Sequence, residues 1–193
     1  SLMSSGDVNA IAICTSTDTH VEVLLMASKH GKPVFCEKPI SLSLPETDRA
    51  LKAISDTKTP LMLGFNRRYD PSHRSVRDSV ANGAIGDVHL ARITSRDPGP
   101  PPVEYAKVSG GIFIDMTIHD FDMARYVVGS EIVSVYATGA VRIVPEFAEI
   151  GDLDTVALML QHANGAITMI DNSRQAVYGY DQRVEVFGSK GMT

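Results

Sequence analysis

The run Ala10-Ile11-Ala12-Ile13-Cys14, the turn Thr15-Ser16-Thr17-Asp18 behind it, and the later run Pro33-Val34-Phe35-Cys36 leading into Glu37-Lys38-Pro39 decide the fold. Short, uninterrupted apolar runs of this kind read as strands covered on both faces, as parallel sheets contain them. Between them, the residues up to about His30 predict a helix, with Thr17 or Asp18 able to cap its start and Gly31 as its stop. Ser43-x-x-Glu46 is a capping-box pattern ahead of a helix to about Asp56, and Leu61-Met62-Leu63-Gly64-Phe65 supplies a third strand. Strand, helix, strand, helix, strand at short spacing is the pattern of right-handed βαβ units in a parallel sheet.

Beyond Phe65 the pattern changes. A helix is expected from about Pro71 to Asn82, a strand from Val88 to Ser95, a proline-rich loop at 97–102 and a helix from about Gly111 to Val128. Strands are expected at 131–144, 154–161, 166–174 and 182–187, with an Asn164-Gly165 hairpin turn. A parallel α/β piece, 1–65, thus gives way to a mostly antiparallel α+β piece, 66–193, with an open sheet. Three strands are few for a doubly wound sheet and the last strand stops at Gly188, so the chain reads as part of a longer protein, cut at both ends. Ser1-Leu2 ahead of Met3 reads as an expression scar.

The chain has 193 residues, with 18 Lys and Arg against 23 Asp and Glu, a net charge of −5. That balance gives no general attraction to nucleic acid or to an anionic membrane surface. A composition 44% hydrophobic and 21% charged is that of a globular chain, not a disordered one. The longest apolar runs fall far short of a bilayer span, and no signal-peptide pattern opens the chain. Cys14 and Cys36 lie in apolar runs without metal-ligand spacing and read as reduced core thiols of a cytoplasmic protein.

The strongest chemical signal is Asp115-x-x-x-His119-Asp120-x-Asp122. At about 100° per residue, Asp115, His119, Asp122 and Tyr126 share one stripe of an otherwise apolar helix, so the stripe faces a cleft or a partner. An Asp four residues before a His can accept the imidazole N–H, fix its tautomer and raise its basicity. The alternative is a hydrogen-bonded core histidine, with Asp122 paired to Arg125. Asp120 points to another side and reads as structural. Lys38 sits at the carboxyl end of a parallel strand, where open α/β sheets bind ligands, and Pro39 restricts its backbone. It is either a partly desolvated lysine bonded to a substrate hydroxyl or an ordinary solvated one. Arg67, Arg68 and Arg74 form a basic cluster suited to an anion, to salt bridges or to solvent. Tyr178 and Tyr180 either contact a polyol or pack a sheet edge. His20, His30, His73, His89 and His162 are scattered without ligand spacing, so no metal site is expected and a metal-dependent phosphohydrolase is disfavoured.

Taken in order, Thr15-Ser16-Thr17-Asp18-x-His20, Glu37-Lys38-Pro39, Gly64-Phe65-Asn66-Arg67-Arg68-Tyr69-Asp70-Pro71 and Gly110-Gly111-x-x-x-Asp115-x-x-x-His119-Asp120-x-Asp122 resemble the Gfo/Idh/MocA family of NAD(P)-dependent oxidoreductases. Ser95-Arg96-Asp97-Pro98 and Tyr178-Gly179-Tyr180-Asp181 are most similar to its myo-inositol 2-dehydrogenase branch. The resemblance implies a partial Rossmann NAD-binding domain at 1–65. It implies a substrate-binding and oligomerisation domain at 66–193, truncated at its carboxyl end, whose sheet packs against other subunits of a homo-oligomer. It implies Lys38, Asp115 and His119 as the catalytic triad and Thr15, Ser16, Thr17, His20, Glu37 and Lys38 around the nicotinamide half of NAD, with NADP not excluded. Arg68, Asp97, Tyr180 and Tyr178 are the implied inositol contacts. The implied reaction is oxidation of myo-inositol to 2-keto-myo-inositol; another sugar or polyol dehydrogenase, or a non-catalytic ligand-sensing relative, are the alternatives.

The family's glycine-rich turn has no counterpart among residues 1–193, and without it the pyrophosphate lacks its helix N-terminus. The chain alone is therefore expected to bind NAD weakly or not at all and to show no turnover. Calorimetry should detect no binding, and a micromolar affinity would contradict this expectation.

Overall fold

The computed structural model describes residues 2–193; Ser1, half of the expected scar, lies outside the described residues. The chain divides into two compact units, one ending at Phe65 and the other beginning at Asn66.

In the first unit, β1 (Ile11–Ile13), β2 (Val34–Cys36) and β3 (Leu61–Leu63) form a parallel sheet in that order. Ile13 aligns with Cys36, and Cys36 with Leu63. The crossovers are α1 (Thr17–Lys29) and α2 (Leu44–Thr57). Val21, Leu24 and Ala27 of α1, with Ala50 and Ile54 of α2, bury Ile13, Val34 and Cys36. The opposite row differs from the expected two-sided burial: Ala12 and Met62 are exposed, because both helices lie on the other face. Neither expected cap forms as read. Ser16 holds the cap position of α1, the side chains of Ser16 and Ser43 make no cap hydrogen bond, and Glu46 is drawn to Arg49 at 2.5 Å instead of reaching back to Ser43. Cys36 is buried as expected, whereas Cys14, one residue past the end of β1, is exposed.

The second unit opens with a 3₁₀ turn (Asn66–Tyr69) and α3 (Pro71–Ala81), whose first amides Ser72 and His73 donate to Asp70 at 2.8 and 3.2 Å. Next come β4 (Val88–Arg96) and α4 (Val103–Ser109). The latter is a short helix just after the expected proline-rich loop, in a stretch for which the sequence predicts no element; the prolines precede its first turn and remove no hydrogen bond from it. A π-helical turn (Phe113–Thr117) runs into α5 (Ile118–Val128), which stops at Gly129 with φ of 69°. β5 (Ile132–Ala140), α6 (Glu146–Glu149), β6 (Thr155–His162), β7 (Ile167–Ser173), β8 (Asp181–Gly188) and β9 (Gly191–Met192) complete the unit. β5 ends earlier than expected because Asp154 collects the amides of Arg142, Ile143 and Val144 at 2.7–3.0 Å and turns the chain away.

The six strands run in the order β5-β6-β7-β4-β8-β9. All pairs are antiparallel except β4 with β7, which are parallel with Arg96 opposite Ser173. One face buries Ala91, Ile93, Leu158, Leu160 and Ile170 against Met123, Ala124 and Val127 of α5. The other face leaves Tyr136, Met159, Ile167 and Phe187 exposed. No helix among the described residues is long and apolar enough to cross a membrane, and no group of three potential metal ligands occurs among them. Leu160 is fully buried under α5, so Leu160→Ala is expected to lower the stability of the second unit by about 2–5 kcal/mol in denaturant unfolding.

Candidate active site

In the first unit the polar residues gather at the carboxyl ends of the parallel strands. Thr15 and Thr19 share a hydroxyl hydrogen bond of 2.6 Å over the start of α1, leaving Thr15 and Ser16 exposed. His20 is placed differently from the expected cofactor contact. It is 1% exposed, with its ring nitrogens 2.8 Å from the Pro39 carbonyl oxygen and 3.0 Å from that of Thr15. It ties the β1 turn to the Lys38-Pro39 loop, whose peptide bond is cis. Glu37 lies over Gly64, where an added Cβ would come within 2.8 Å of its carboxylate. Burial, helped by the charge of Glu37, pushes the Cys36 thiol up to about 11, so it stays a neutral core group.

In the second unit the parallel β4–β7 pair delivers Asp97 and Arg174 to the same end of the sheet, and the Asp97 amide donates to the Ser173 carbonyl at 3.0 Å. Asp115 stands here on the π-helical turn. Its Oδ1 accepts from the Tyr105 hydroxyl at 2.9 Å and its Oδ2 from Arg174 at 3.2 Å. Burial first, then the bond to Asp115, pushes the Tyr105 phenol up to about 12. A second cluster adjoins it. The fully buried Asp120 accepts from Arg67, from Ser95 at 2.6 Å and from Asn172 at 2.7 Å; Thr117 donates to the same Asn172 at 2.7 Å. Burial pushes the Asp120 carboxyl up and Arg67 opposes it. Asp97 feels both clusters. Burial raises its pKa, Arg174 pulls it down, Asp115 raises it, and Arg67 and Asp120 act in the same two opposed senses.

The expected stripe divides between two sets of partners. A π turn advances less per residue than an α-helix, so Asp115 meets Tyr105 and Arg174 while Asp122 meets Arg68. Arg68 forks onto Asp122 at 2.6 and 2.8 Å and lies 5.2 Å from the centre of the Tyr126 ring. Asp122 therefore pairs with Arg68 and not with Arg125, which bonds Glu131 at 2.6 Å. Arg67, rather than Arg68, stands by Asp97 and Tyr180. The two tyrosines also part. Tyr180 accepts from Gln182 at 2.5 Å within reach of Arg67, whereas Tyr178 accepts from Arg96 at 2.8 Å and donates to Asp181 at 2.6 Å. His119 follows Asp115 by four residues and is half-buried. Arg174, Asp152 and Tyr105 had no mark in the sequence: Arg174 is 59 positions from Asp115, and only the sheet brings them together.

The profile described as "Oxidoreductase family, NAD-binding Rossmann fold" matches residues 1–65, and that of the "GFO/IDH/MocA C-terminal domain" matches residues 73–193. The chain belongs to the GFO/IDH/MocA oxidoreductase family. It is 54% identical to an inositol 2-dehydrogenase of Rhizobium meliloti over 97% of this chain and 57% of that protein. It is 52% identical to a myo-inositol 2-dehydrogenase of Thermotoga maritima over 98% of this chain and 57% of the relative. A scyllo-inositol dehydrogenase of Lactobacillus casei, crystallised with NAD(H) and scyllo-inositol, superposes with a TM-score of 0.89 at 33% identity, covering 100% of this chain and 58% of that one. The chain thus spans a little more than half the length of these family members.

The folded state favours protonated Asp97, because its pKa is raised above the usual carboxylate value. Its ionised form therefore costs stability, and the cost grows as pH rises through the folded-state titration. Asp97→Asn is expected to raise the melting temperature near neutral pH and to lose that advantage below pH ~4, where the unfolded-state carboxyl is also protonated. Thermal melts across pH test the sign.

Proposed function

We propose that this chain carries the reacting groups of an NAD-dependent dehydrogenase of cyclic polyols, with oxidation of myo-inositol to 2-keto-myo-inositol as its reaction. Identity of 52–54% to inositol 2-dehydrogenases across almost the whole chain carries this reading. The site residues support it: an acid clamped on a π-helical turn four positions before a histidine, and a lysine at a parallel-strand end. The exposed hydroxyls of Thr15 and Ser16 and the loop of Glu37 and Lys38 fit the nicotinamide half of a dinucleotide, at the sheet edge where α/β folds hold one. NAD, when bound, supplies the hydride acceptor.

In this mechanism His119 accepts the proton of the reacting hydroxyl. Asp115 orients the imidazole and balances the charge it gains, and the Lys38 ammonium polarises the hydroxyl oxygen. Asp97 and Tyr180, beside Arg67, offer an acceptor and a donor for the ring hydroxyls that do not react. Arg68 is held by Asp122, so its contribution is to brace α5. The exposed Tyr136, Met159, Ile167 and Phe187 support the proposal that a second copy of the chain covers the outer sheet face. A cytoplasmic location and use of NAD over NADP belong to the same proposal.

Expressed from its full reading frame, the protein is expected to form NADH with myo-inositol. His119→Ala should lower kcat by about 10²–10⁴-fold, read by NADH absorbance. A panel of inositol isomers and sugars checks the substrate; greater kcat/KM on scyllo-inositol would move the assignment to that isomer, and no turnover with any polyol would overturn it.

A further inference from the structure

Arg174 is the bulkiest fully buried side chain among the described residues, at 1% exposure. Its guanidinium lies 5.6 Å from the centre of the Phe147 ring. It is split between two acids: Nη1 donates to Asp115 Oδ2 at 3.2 Å and Nη2 to Asp152 Oδ2 at 3.3 Å. Its Nε meets no acceptor among the described residues. The more exposed arginines of the same unit behave otherwise. Arg68 closes a fork on both oxygens of Asp122, and Arg96 places two donors on one oxygen of Asp171 at 2.6 and 2.8 Å.

A buried guanidinium with long single contacts and an unmatched N–H is poorly arranged to stabilise a fold, because its desolvation offsets most of the coulombic gain. What the arrangement does is fix one carboxylate relative to another. Asp152 is the fixed end. Its Oδ1 accepts from the amide of Ile112, at the start of the segment that carries Asp115, at 2.9 Å, and from that of its own neighbour Leu153 at 2.8 Å. Gly111 makes room for it, since a Cβ there would come within 2.9 Å of that oxygen. Asp115 is the held end, with Tyr105 closing on its other oxygen.

We propose that Arg174 is a positioning residue for the dehydrogenation. Anchored by Asp152 and laid on Phe147, it sets the place of the Asp115 carboxylate and acts on turnover only through Asp115. The inference rests on the proposed role of Asp115 beside His119. A lysine at this position keeps the charge but cannot bridge two acids as a planar fork does.

The test is a double-mutant cycle in the protein made from the full reading frame. Arg174→Lys is expected to lower kcat roughly 10²-fold, the scale of a small misplacement of a reacting group, with KM for NAD unchanged. In an Asp115→Asn background the same replacement should cost less than about twofold, the limit for independent behaviour to vanish into coupling. Asp152→Asn keeps the oxygen that accepts from Ile112 but removes the charge that anchors Arg174. It should follow the same pattern with a smaller loss, and it decides the matter if Arg174→Lys does not fold. Equal losses in both backgrounds, or unchanged kcat in both variants, would overturn the proposal. Absence of polyol-dependent NADH formation by the unsubstituted protein would overturn the functional reading alone. Carboxyl-carbon NMR on this chain then still decides on Arg174: the Asp115 resonance should move in Arg174→Lys while that of Asp70 stays in place, and an unmoved Asp115 resonance overturns it.

Discussion

The parallel pairing of β4 with β7 is the constraint on which the second unit's site depends. In an antiparallel pair, chains leave at opposite ends; here both leave at the same end, with Arg96 opposite Ser173. The next residue on each strand is therefore Asp97 on one side and Arg174 on the other. The remaining pairs of the sheet are antiparallel, so this one reversal of sense brings an acid and a base, distant in sequence, to a common edge. The helix with the π turn packs over the same sheet and presents Asp115 to that edge.

The edge is crowded with charge. Asp115, Asp120 and Asp152 are paired with Arg67 and Arg174, and burial works against the ionised carboxyls of Asp97 and Asp120. The two arginines divide the task. Arg67 serves Asp120, which is locked by Ser95 and Asn172 into the interior, while Arg174 serves Asp115 and Asp152. Asp97 lies between the two pairs, and burial, with Asp115 and Asp120 nearby, raises its pKa against the pull of Arg174 and Arg67. A carboxyl that is inexpensive to protonate and partly accessible suits a contact with a sugar-like hydroxyl, which can give or take a hydrogen bond.

How far the sequence could be read depended on whether a signal was periodic. The strands β6 and β7 alternate cleanly, with Val156, Leu158 and Leu160 inward and Ala157 and Met159 outward, and the βαβ run was equally plain. The short helices α4 and α6 carry no stripe long enough to detect, and the early end of β5 is imposed by Asp154 from across a loop. At the site, Lys38, Asp115 and His119 stood out through resemblance and spacing. The partners of Asp115 did not, because a helical period assumes an even helix and says nothing about a strand many residues later. The same evenness offers Arg125, one turn away, as the alternative partner of Asp122, whereas the fork comes from Arg68, outside the helix.

The π turn at Phe113–Thr117 is geometrically equivalent to a single residue inserted into an otherwise regular helix. Excising one residue there would restore the α period and redirect the residues of the bulge, Asp115 among them, leaving the flanking turns, α5 and its contacts with the sheet in phase. The acid's azimuth is thus encoded separately from the hydrophobic face that docks the helix. In a lineage of such chains, length variation of one residue at this point would retune the reacting groups without disturbing the core beneath them.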